Sequence, residues 1–174
     1  MRPTIQIYEG PDGSGKTFHV ERVMAVARRN GLRSVRIHHA PPQDWAGEYT
    51  FREYYAGRTL DAIHEGYDVI VLDRCFVSNM VYSDLQGVPS FFSDSEAEYM
   101  AGLYAALGAS YWYVDRESDA IRRCLEQRGE IAELGDVECL KGFYDKAHRK
   151  IGLALHVQVL DNKQRDAPPW TVQD

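Results

Sequence analysis

The segment that most restricts the fold of this chain is a glycine-rich stretch near its beginning. It fits the pattern G-x-x-x-x-G-K-[ST] at every fixed position. The residues are Gly10-Pro11-Asp12-Gly13-Ser14-Gly15-Lys16-Thr17. An apolar run at 4–8 leads into the stretch, and a helical pattern over 16–29 leaves it. Because the pattern requires this order of strand, loop and helix, the sequence predicts an α/β fold built around the loop.

Such a loop binds phosphate mainly through its backbone. Its glycines permit conformations in which successive N–H groups turn inward, and the following helix directs its positive end at the same place. Lys16 is then expected to reach the β and γ phosphates of ATP, and the Thr17 hydroxyl to ligate Mg²⁺. The alternative is a glycine-rich turn with an exposed lysine. The predicted ATP-binding residues are Gly10, Gly13, Ser14, Gly15, Lys16 and Thr17.

Strand and helix patterns alternate along the rest of the chain. The strand candidates are the mostly apolar runs 5–9, 34–38, 68–73, 110–115 and 156–161. Helical patterns lie between them, at 16–29, 50–65, 75–86, 94–107, 117–128 and 136–154. This alternation predicts a three-layer α/β fold with a central parallel sheet of about five strands flanked by helices, the P-loop NTPase architecture. We expect one domain over 1–161 and a tail over 162–174.

Composition narrows the function classes. A chain of 174 residues with 44% hydrophobic residues suits one globular domain, and a net charge of -6 disfavours a surface that coats nucleic acid. No apolar run is long enough to cross a membrane and no signal peptide is evident, so we expect a cytoplasmic protein. Three widely spaced cysteines indicate buried thiols rather than a disulfide framework or a zinc site.

A second constellation follows the buried run 69–72. Asp73 and Arg74 lie at the carboxyl end of that strand, which in this architecture adjoins the phosphate loop. Asp73 is a candidate magnesium ligand, directly or through water, together with Thr17. Arg74 can grip a phosphate with its guanidinium fork. The alternative for Asp73 and Arg74 is a surface salt bridge after a strand.

The residues after this strand give the chain a family likeness. The order Asp73-Arg74, Ser78, Tyr82, together with Glu9 directly before the loop, resembles the thymidylate kinases (dTMP kinases), a family of P-loop nucleoside monophosphate kinases. The resemblance runs over about 4–161 and is that of a divergent member. Further matches are Tyr54 with Arg58, Arg128-Gly129-Glu130 and Phe143-Tyr144.

The resemblance implies roles for individual residues. Tyr54 would stack on the base, and Arg58 and Arg74 would hold the acceptor phosphate. Asn79 would read the pyrimidine edge, and Tyr82 would lie under the sugar. The remaining implied substrate-binding residues are Asp12, facing the sugar 3′-hydroxyl or a magnesium-bound water, and Ser78. A lid at about 128–138 would close over the site and supply Arg128, and members of the family commonly form homodimers.

The residue patterns leave other roles open. Tyr54 and Tyr82 can instead be packing residues, and Asn79 can be a solvated or capping side chain. Arg128 can simply place favourable charge near the carboxyl end of a helix, as can its possible substitutes Arg122 and Arg123.

The chain also departs from the family at two places. After the second strand the family usually carries an arginine followed by glutamate and proline. This chain has no arginine there, and at best a histidine imidazole replaces the guanidinium. In the lid, Glu133 stands where the family places an arginine. The segment after the second strand reads His38-His39-Ala40-Pro41-Pro42.

Together these features predict ATP-dependent phosphorylation of a deoxynucleoside 5′-monophosphate, dTMP to dTDP or a close pyrimidine relative. Lys16, Arg74 and Arg128 would be the catalytic cations, with Mg²⁺ as cofactor. The predicted partners are ATP and a small deoxynucleotide, without a nucleic-acid polymer or a membrane. Two alternatives remain open: a kinase of the same fold acting on a nucleoside, a modified nucleotide or a nucleic-acid end, and a non-catalytic nucleotide-binding module.

Overall fold

The computed structural model describes residues 2–39, 53–90, 93–129, 136–152 and 154–162. Five strands form one sheet: β1 (Thr4–Glu9), β2 (Ser34–His38), β3 (Val69–Asp73), β4 (Ser110–Asp115) and β5 (Val157–Asp161). The helices described are α1 (Lys16–Arg29), α2 (Arg58–His64), α3 (Phe76–Gln86), α4 (Asp94–Ala106), α5 (Ser118–Arg128) and α6 (Val137–Ile151). A π-helical turn, Glu53–Gly57, leads directly into α2.

The strand order is β2-β3-β1-β4-β5, and every neighbouring pair is parallel. The register places Asp73 opposite both Tyr8 and His38, and Glu9 opposite Tyr113. All carboxyl ends therefore lie along one edge, where the segments after each strand come together. The predicted fold class, a parallel sheet flanked by helices, is confirmed.

Burial on both faces of the sheet explains why its central strands are almost uninterrupted apolar runs. Ile5 and Ile7 of β1 face a core that includes residues of α3, α4 and α6, whereas Tyr8 faces a second core that includes Val20 of α1. Val71 of β3 belongs to this second core. The sheet thus separates two hydrophobic layers, and each has its own helices.

Several predicted boundaries shift in the structure. The helical pattern over 50–65 becomes the π-helical turn followed by a seven-residue helix. The helix predicted over 136–154 ends at Ile151. The prediction of three buried thiols holds only for Cys75, because Cys124 is half-buried and Cys139 is exposed.

Two predicted segments lie mostly outside the described residues. These are the core of the lid, 130–135, which includes Glu130 and Glu133, and the tail from 163 onward. The described residues contain no helix that is long and apolar enough to span a membrane.

Candidate functional site

The phosphate loop crosses from β1 to α1 with a backbone that requires glycine. Gly10 has φ 145° and Gly15 has φ 102°. A Cβ on Gly10 would lie 2.5 Å from the carbonyl oxygen of Val114, and one on Gly15 would overlap the side-chain amide of Asn162. Substitution at either glycine would therefore strain the backbone and push β4 or the end of β5 away from the loop.

Lys16 folds back into the loop. Its Nζ donates to the carbonyl oxygens of Gly10, at 2.6 Å, and Pro11, at 2.8 Å, and its side chain is 6% exposed. Burial, reinforced by the positive charge of Arg74, lowers the pKa of Lys16 to about 7. A polyanion beside Nζ would favour the charged form, so anion binding at the loop is coupled to protonation of this amine.

Glu9, which is fully buried, ties the end of β1 to the start of α3. Its Oε1 accepts from the backbone N–H of Cys75, at 2.6 Å, and of Ser78, at 3.0 Å. Its Oε2 accepts from the Ser78 hydroxyl at 2.5 Å. The Glu9 carboxylate, which belongs to β1, thus caps the amino-terminal end of α3. It accepts from N–H groups at the start of that helix, and its negative charge lies at the positive end of the helix dipole.

Arg74 joins the phosphate loop to α3. It forms an ion pair with Asp12 and donates to the Ser78 hydroxyl at 3.1 Å. The Tyr82 hydroxyl donates to the other Asp12 oxygen at 2.7 Å, and the Arg74 guanidinium lies 5.4 Å from the Tyr82 ring centre. Burial pushes the pKa of Asp12 upward, but the charges of Arg74 and Lys16 outweigh it and hold the pKa below its usual value.

The backbone at Arg74 is strained. Its φ of 71° is left-handed, which is uncommon for a residue with a side chain and costs about 1–3 kcal/mol. Its N–H donates to the Tyr8 carbonyl at 3.0 Å, and its own carbonyl lies 3.1 Å from Nδ1 of His39. Because a carbonyl can only accept, Nδ1 carries the proton. These contacts from β1 and from the end of β2 hold the guanidinium over the loop.

His39 cannot replace the guanidinium that the family likeness would place after β2. Its side chain is buried, and burial lowers its pKa to about 4, so the ring is neutral at physiological pH. His38 is exposed and has its Nδ1 3.5 Å from Asp73. The cation that pairs with Asp73 comes from β2 itself: it is Arg36, which was not predicted from the sequence.

Asp73, one of the predicted metal ligands, is almost completely buried and forms an ion pair with Arg36. Arg36 also reaches Glu21 of α1, at 3.2 Å. Thr17, the other predicted ligand, is exposed at the start of α1. Thr17, Asp73 and Arg36 all line one pocket, so the two predicted ligands face the same space.

This pocket has a volume of about 320 Å³ and lies at the carboxyl edge of the sheet. Five basic and two acidic side chains line it, so it suits a polyanion. Five of these side chains were predicted from the sequence: Asp12, Lys16, Asp73, Arg74 and Arg128. The charged lining residues are Asp12, Lys16, Arg36, Asp73, Arg74, Arg116 and Arg128; the others include Gly13, Gly15, Thr17, Phe18, His38 and Cys124.

The predicted base and sugar residues lie outside the described lining of this pocket. Tyr54 is half-buried, and its ring centre lies 5.4 Å from that of His39 and 4.9 Å from that of Tyr55. Arg58 is exposed and donates to the His38 carbonyl at 3.0 Å. Asn79 is buried on α3, and its Oδ1 has no hydrogen-bond partner within the described parts of the chain. Arg74 links the phosphate pocket to α3, which carries Asn79.

Three residues near the loop escaped the sequence analysis. Asn162 was assigned to the tail, but it is buried and donates from Nδ2 to the Ser14 carbonyl at 2.6 Å. Arg116 donates to the Gly13 carbonyl at 3.0 Å, and Arg36 has been described above. Asn162 and Arg116 each directly follow a strand, which is the one signal that could have identified them. By contrast, Arg122, a suggested lid substitute, pairs with Asp119 at 3.0 Å and is not among the described pocket residues.

Comparison with known proteins supports the fold. No model of a known protein family matches the chain, and no curated protein matches its sequence. Among solved structures, it is similar to the YorR protein of Bacillus subtilis, whose crystal structure is a complex with phosphorylated GDP. The TM-score is 0.66 at 20% identity, covering 92% of this chain and 87% of that chain. The likeness shows the fold alone, an α/β fold, while nucleotide kinase activity, thymidylate kinase membership, a homodimer and a cytoplasmic location stay predictions.

Proposed function

We propose that this protein is a nucleotide kinase that transfers the γ-phosphoryl group of ATP to the 5′-phosphate of a deoxynucleoside monophosphate, with dTMP as the first acceptor to test. The observation that carries the proposal is the ion pair between Asp12 and Arg74. This ion pair brings the phosphate loop, which suits a phosphoryl donor, into contact with Arg74, which lies just before α3 and its predicted acceptor-binding residues. A non-catalytic nucleotide-binding module would need only the phosphate loop.

The donor side follows from the loop. Inward-facing N–H groups and the start of α1 hold phosphates, and Lys16 exchanges its two carbonyl partners for phosphate oxygens. Phosphoryl transfer needs in-line positioning and charge compensation rather than covalent help from the protein. The basic lining of the pocket supplies that compensation.

The oxygen ligands present fit Mg²⁺. The Thr17 hydroxyl and the Asp73 carboxylate are hard oxygen donors, and both line the phosphate pocket. Because Asp73 already pairs with Arg36, contact through water is the arrangement that disturbs the structure least. When bound, Mg²⁺ would neutralise charge on the terminal phosphates.

The acceptor side is proposed from Arg74 and the helix that follows it. Arg74 would exchange Asp12 for the acceptor phosphate, which leaves the Asp12 carboxylate available to a sugar hydroxyl. The Oδ1 of Asn79, which has no partner among the described residues, supports a base-reading role, because buried polar atoms normally have a partner. A thymine N3–H would provide one.

A guanine nucleotide is the second candidate acceptor. It is favoured by the phosphorylated GDP in the YorR complex, and guanine also presents a ring N–H that Asn79 could accept. The two candidates share the donor site and differ only in the base bound beside α3.

A coupled ADP-release assay with ATP, Mg²⁺ and a panel of acceptors tests the proposal. The panel contains dTMP, dUMP, dCMP, dGMP, GMP, thymidine and a 5′-hydroxyl oligonucleotide. We expect acceptor-dependent ADP with dTMP or, for the second candidate, with dGMP or GMP. If none of these acceptors stimulates ADP release, the proposal is contradicted and the nucleotide-binding module is favoured.

Two variants assign the roles. Lys16→Ala should lower kcat by about a hundred- to a thousandfold, because it removes a preorganised charge from the transferring group. Arg74→Ala should raise the acceptor KM by about ten- to a hundredfold and change the ATP KM less. Far-ultraviolet circular dichroism provides the control for folding, and unchanged turnover in either variant would reject its role.

A further inference from the structure

Arg116 is the first residue after β4, and it lies over the phosphate loop. Its guanidinium donates to the carbonyl oxygen of Gly13 at 3.0 Å, and the side chain lines the same pocket as Lys16 and Thr17. Gly13 is itself crowded, because a Cβ placed there would lie 3.2 Å from the Ile121 carbonyl oxygen and 3.3 Å from Cys124 Cβ. The position at this turn of the loop is a glycine with φ 79°, and the cation beside it comes from Arg116 at the end of β4.

Two other arginines of the pocket form ion pairs with carboxylates, whereas Arg116 forms none with the described residues. Arg36 pairs with Asp73 and Glu21, and Arg74 pairs with Asp12. Arg116 donates to a neutral carbonyl and has no carboxylate within ion-pair distance across the residues that the structure describes. A phosphate approaching Arg116 therefore meets an uncompensated charge, with no ion pair to break first.

The main chain around Arg116 is held in place from a third element. Lys141 of α6 donates to the carbonyl oxygen of Arg116 at 3.1 Å and pairs with Asp115 at 2.8 Å. This double contact fixes the end of β4 while leaving the guanidinium on the pocket side. A preorganised cation costs less to recruit than one that a mobile segment has to bring in.

We infer that Arg116 is a phosphate-binding residue that grips the donor phosphates beyond the α-phosphate, beside Lys16. Its remaining N–H groups donate to phosphate oxygens, while its hydrogen bond to the Gly13 carbonyl keeps the guanidinium beside the loop. The inference rests on the proposed function for the identity of the donor, but its geometry concerns polyphosphate binding alone. It can therefore be tested without phosphoryl transfer.

The test compares Arg116→Gln with the wild type by calorimetric titration of ATP, inorganic tripolyphosphate and dTMP. Glutamine keeps an N–H donor but carries no charge. We expect the affinity for ATP and tripolyphosphate to fall by about ten- to a hundredfold, the effect of one charge-assisted hydrogen bond, and that for dTMP to stay within about twofold. Arg28→Gln is the matched control, because Arg28 also donates to a backbone carbonyl, that of Met24, but lies in the last turn of α1.

Thermal unfolding separates a binding role from a structural one. The ligand-free unfolding midpoint of Arg116→Gln should match that of the wild type within about 2 °C. Should it fall further, Arg116→Lys takes its place: it keeps the charge without the planar fork, and we expect a few-fold loss of tripolyphosphate affinity. Equal loss of affinity for ATP and dTMP would indicate a distorted site and overturn the inference.

The outcomes also separate this inference from the kinase proposal. Undiminished ATP and tripolyphosphate binding by Arg116→Gln overturns the inference, whatever the enzyme phosphorylates. A wild type that binds ATP through Arg116 but releases no ADP with any acceptor supports the inference and rejects the kinase. A wild type that binds neither ATP nor tripolyphosphate rejects both.

Discussion

Replacing Glu9 with glutamine tests whether a buried charge holds α3 in place. In the wild type, Oε1 accepts the backbone N–H groups of Cys75 and Ser78, and Oε2 accepts the Ser78 hydroxyl. Glutamine is nearly the same shape and keeps one oxygen for the two N–H groups. It loses the negative charge, and its amide presents hydrogens where the Ser78 hydroxyl now donates.

The magnitude follows from the two backbone N–H contacts, because the Ser78 hydroxyl can turn to accept from the new amide. A hydrogen bond to a charged group contributes about 1.5–3 kcal/mol and a neutral one about 1 kcal/mol, so two weakened bonds lose about 2 kcal/mol. Loss of the charge at the start of α3 adds about 0.3–1 kcal/mol, while relief of the buried charge acts in the opposite direction. We therefore expect Glu9→Gln to lower the free energy of unfolding by about 2 kcal/mol, which leaves a typical domain folded.

Urea unfolding followed by circular dichroism measures this change. With a slope of about 1–3 kcal/mol/M, a loss of 2 kcal/mol moves the midpoint by roughly 1 M. Glu21→Gln is the control, because that glutamate is 61% exposed and its ion pair with Arg36 contributes about 0.2–1 kcal/mol. If the two variants lose the same stability, the charge of Glu9 does not hold α3, and the reasoning is refuted.

Two further predictions concern protonation. Because burial lowers the pKa of Lys16 to about 7 and a bound polyanion raises it again, ATP binding at pH 8 should take up close to one proton. Titration in buffers of different ionisation enthalpy measures this uptake; Lys16→Arg should abolish it, and uptake that persists in the variant would contradict the assignment. For His148, burial lowers the pKa to about 4, below its usual 6.5, so the unfolded state binds more protons between these values. Stability should therefore fall as the pH drops from 6.5 to 4, by up to about 3 kcal/mol from this residue. His148→Gln should lose less stability between pH 7 and 4.5 than the wild type does, and an identical loss would exclude His148 as the cause.

Local patterns were enough to predict the fold. The buried runs that became β1, β3 and β4 are apolar along most of their length because both faces are covered, and this signal is present in the sequence itself. The glycines of the phosphate loop carry a similar local signal, since the conformation they require depends on a few consecutive residues. The boundary errors at α2 and α6 lie at helix ends, where local signals are weakest.

Local patterns could not predict which side chains meet at the carboxyl edge of the sheet. Arg36, Arg116 and Asn162 are 80 and 46 positions apart in sequence. The order β2-β3-β1-β4-β5 brings Arg116 and Asn162 onto the phosphate loop and Arg36 into the pocket beside it. The same is true of the Asp12 pair with Arg74, which sequence analysis placed in one site without identifying the contact.

From the residue order alone one can predict the strand and helix pattern, the glycine-rich loop and the candidate pair Asp73 and Arg74. Packing fixed three further features: His39 is buried and neutral, Arg36 pairs with Asp73, and Arg116 faces the loop with no carboxylate at ion-pair distance among the described residues. The physical reason is range: backbone conformation and burial periodicity depend on near neighbours, whereas the charge state and partners of a side chain depend on whatever the fold packs against it.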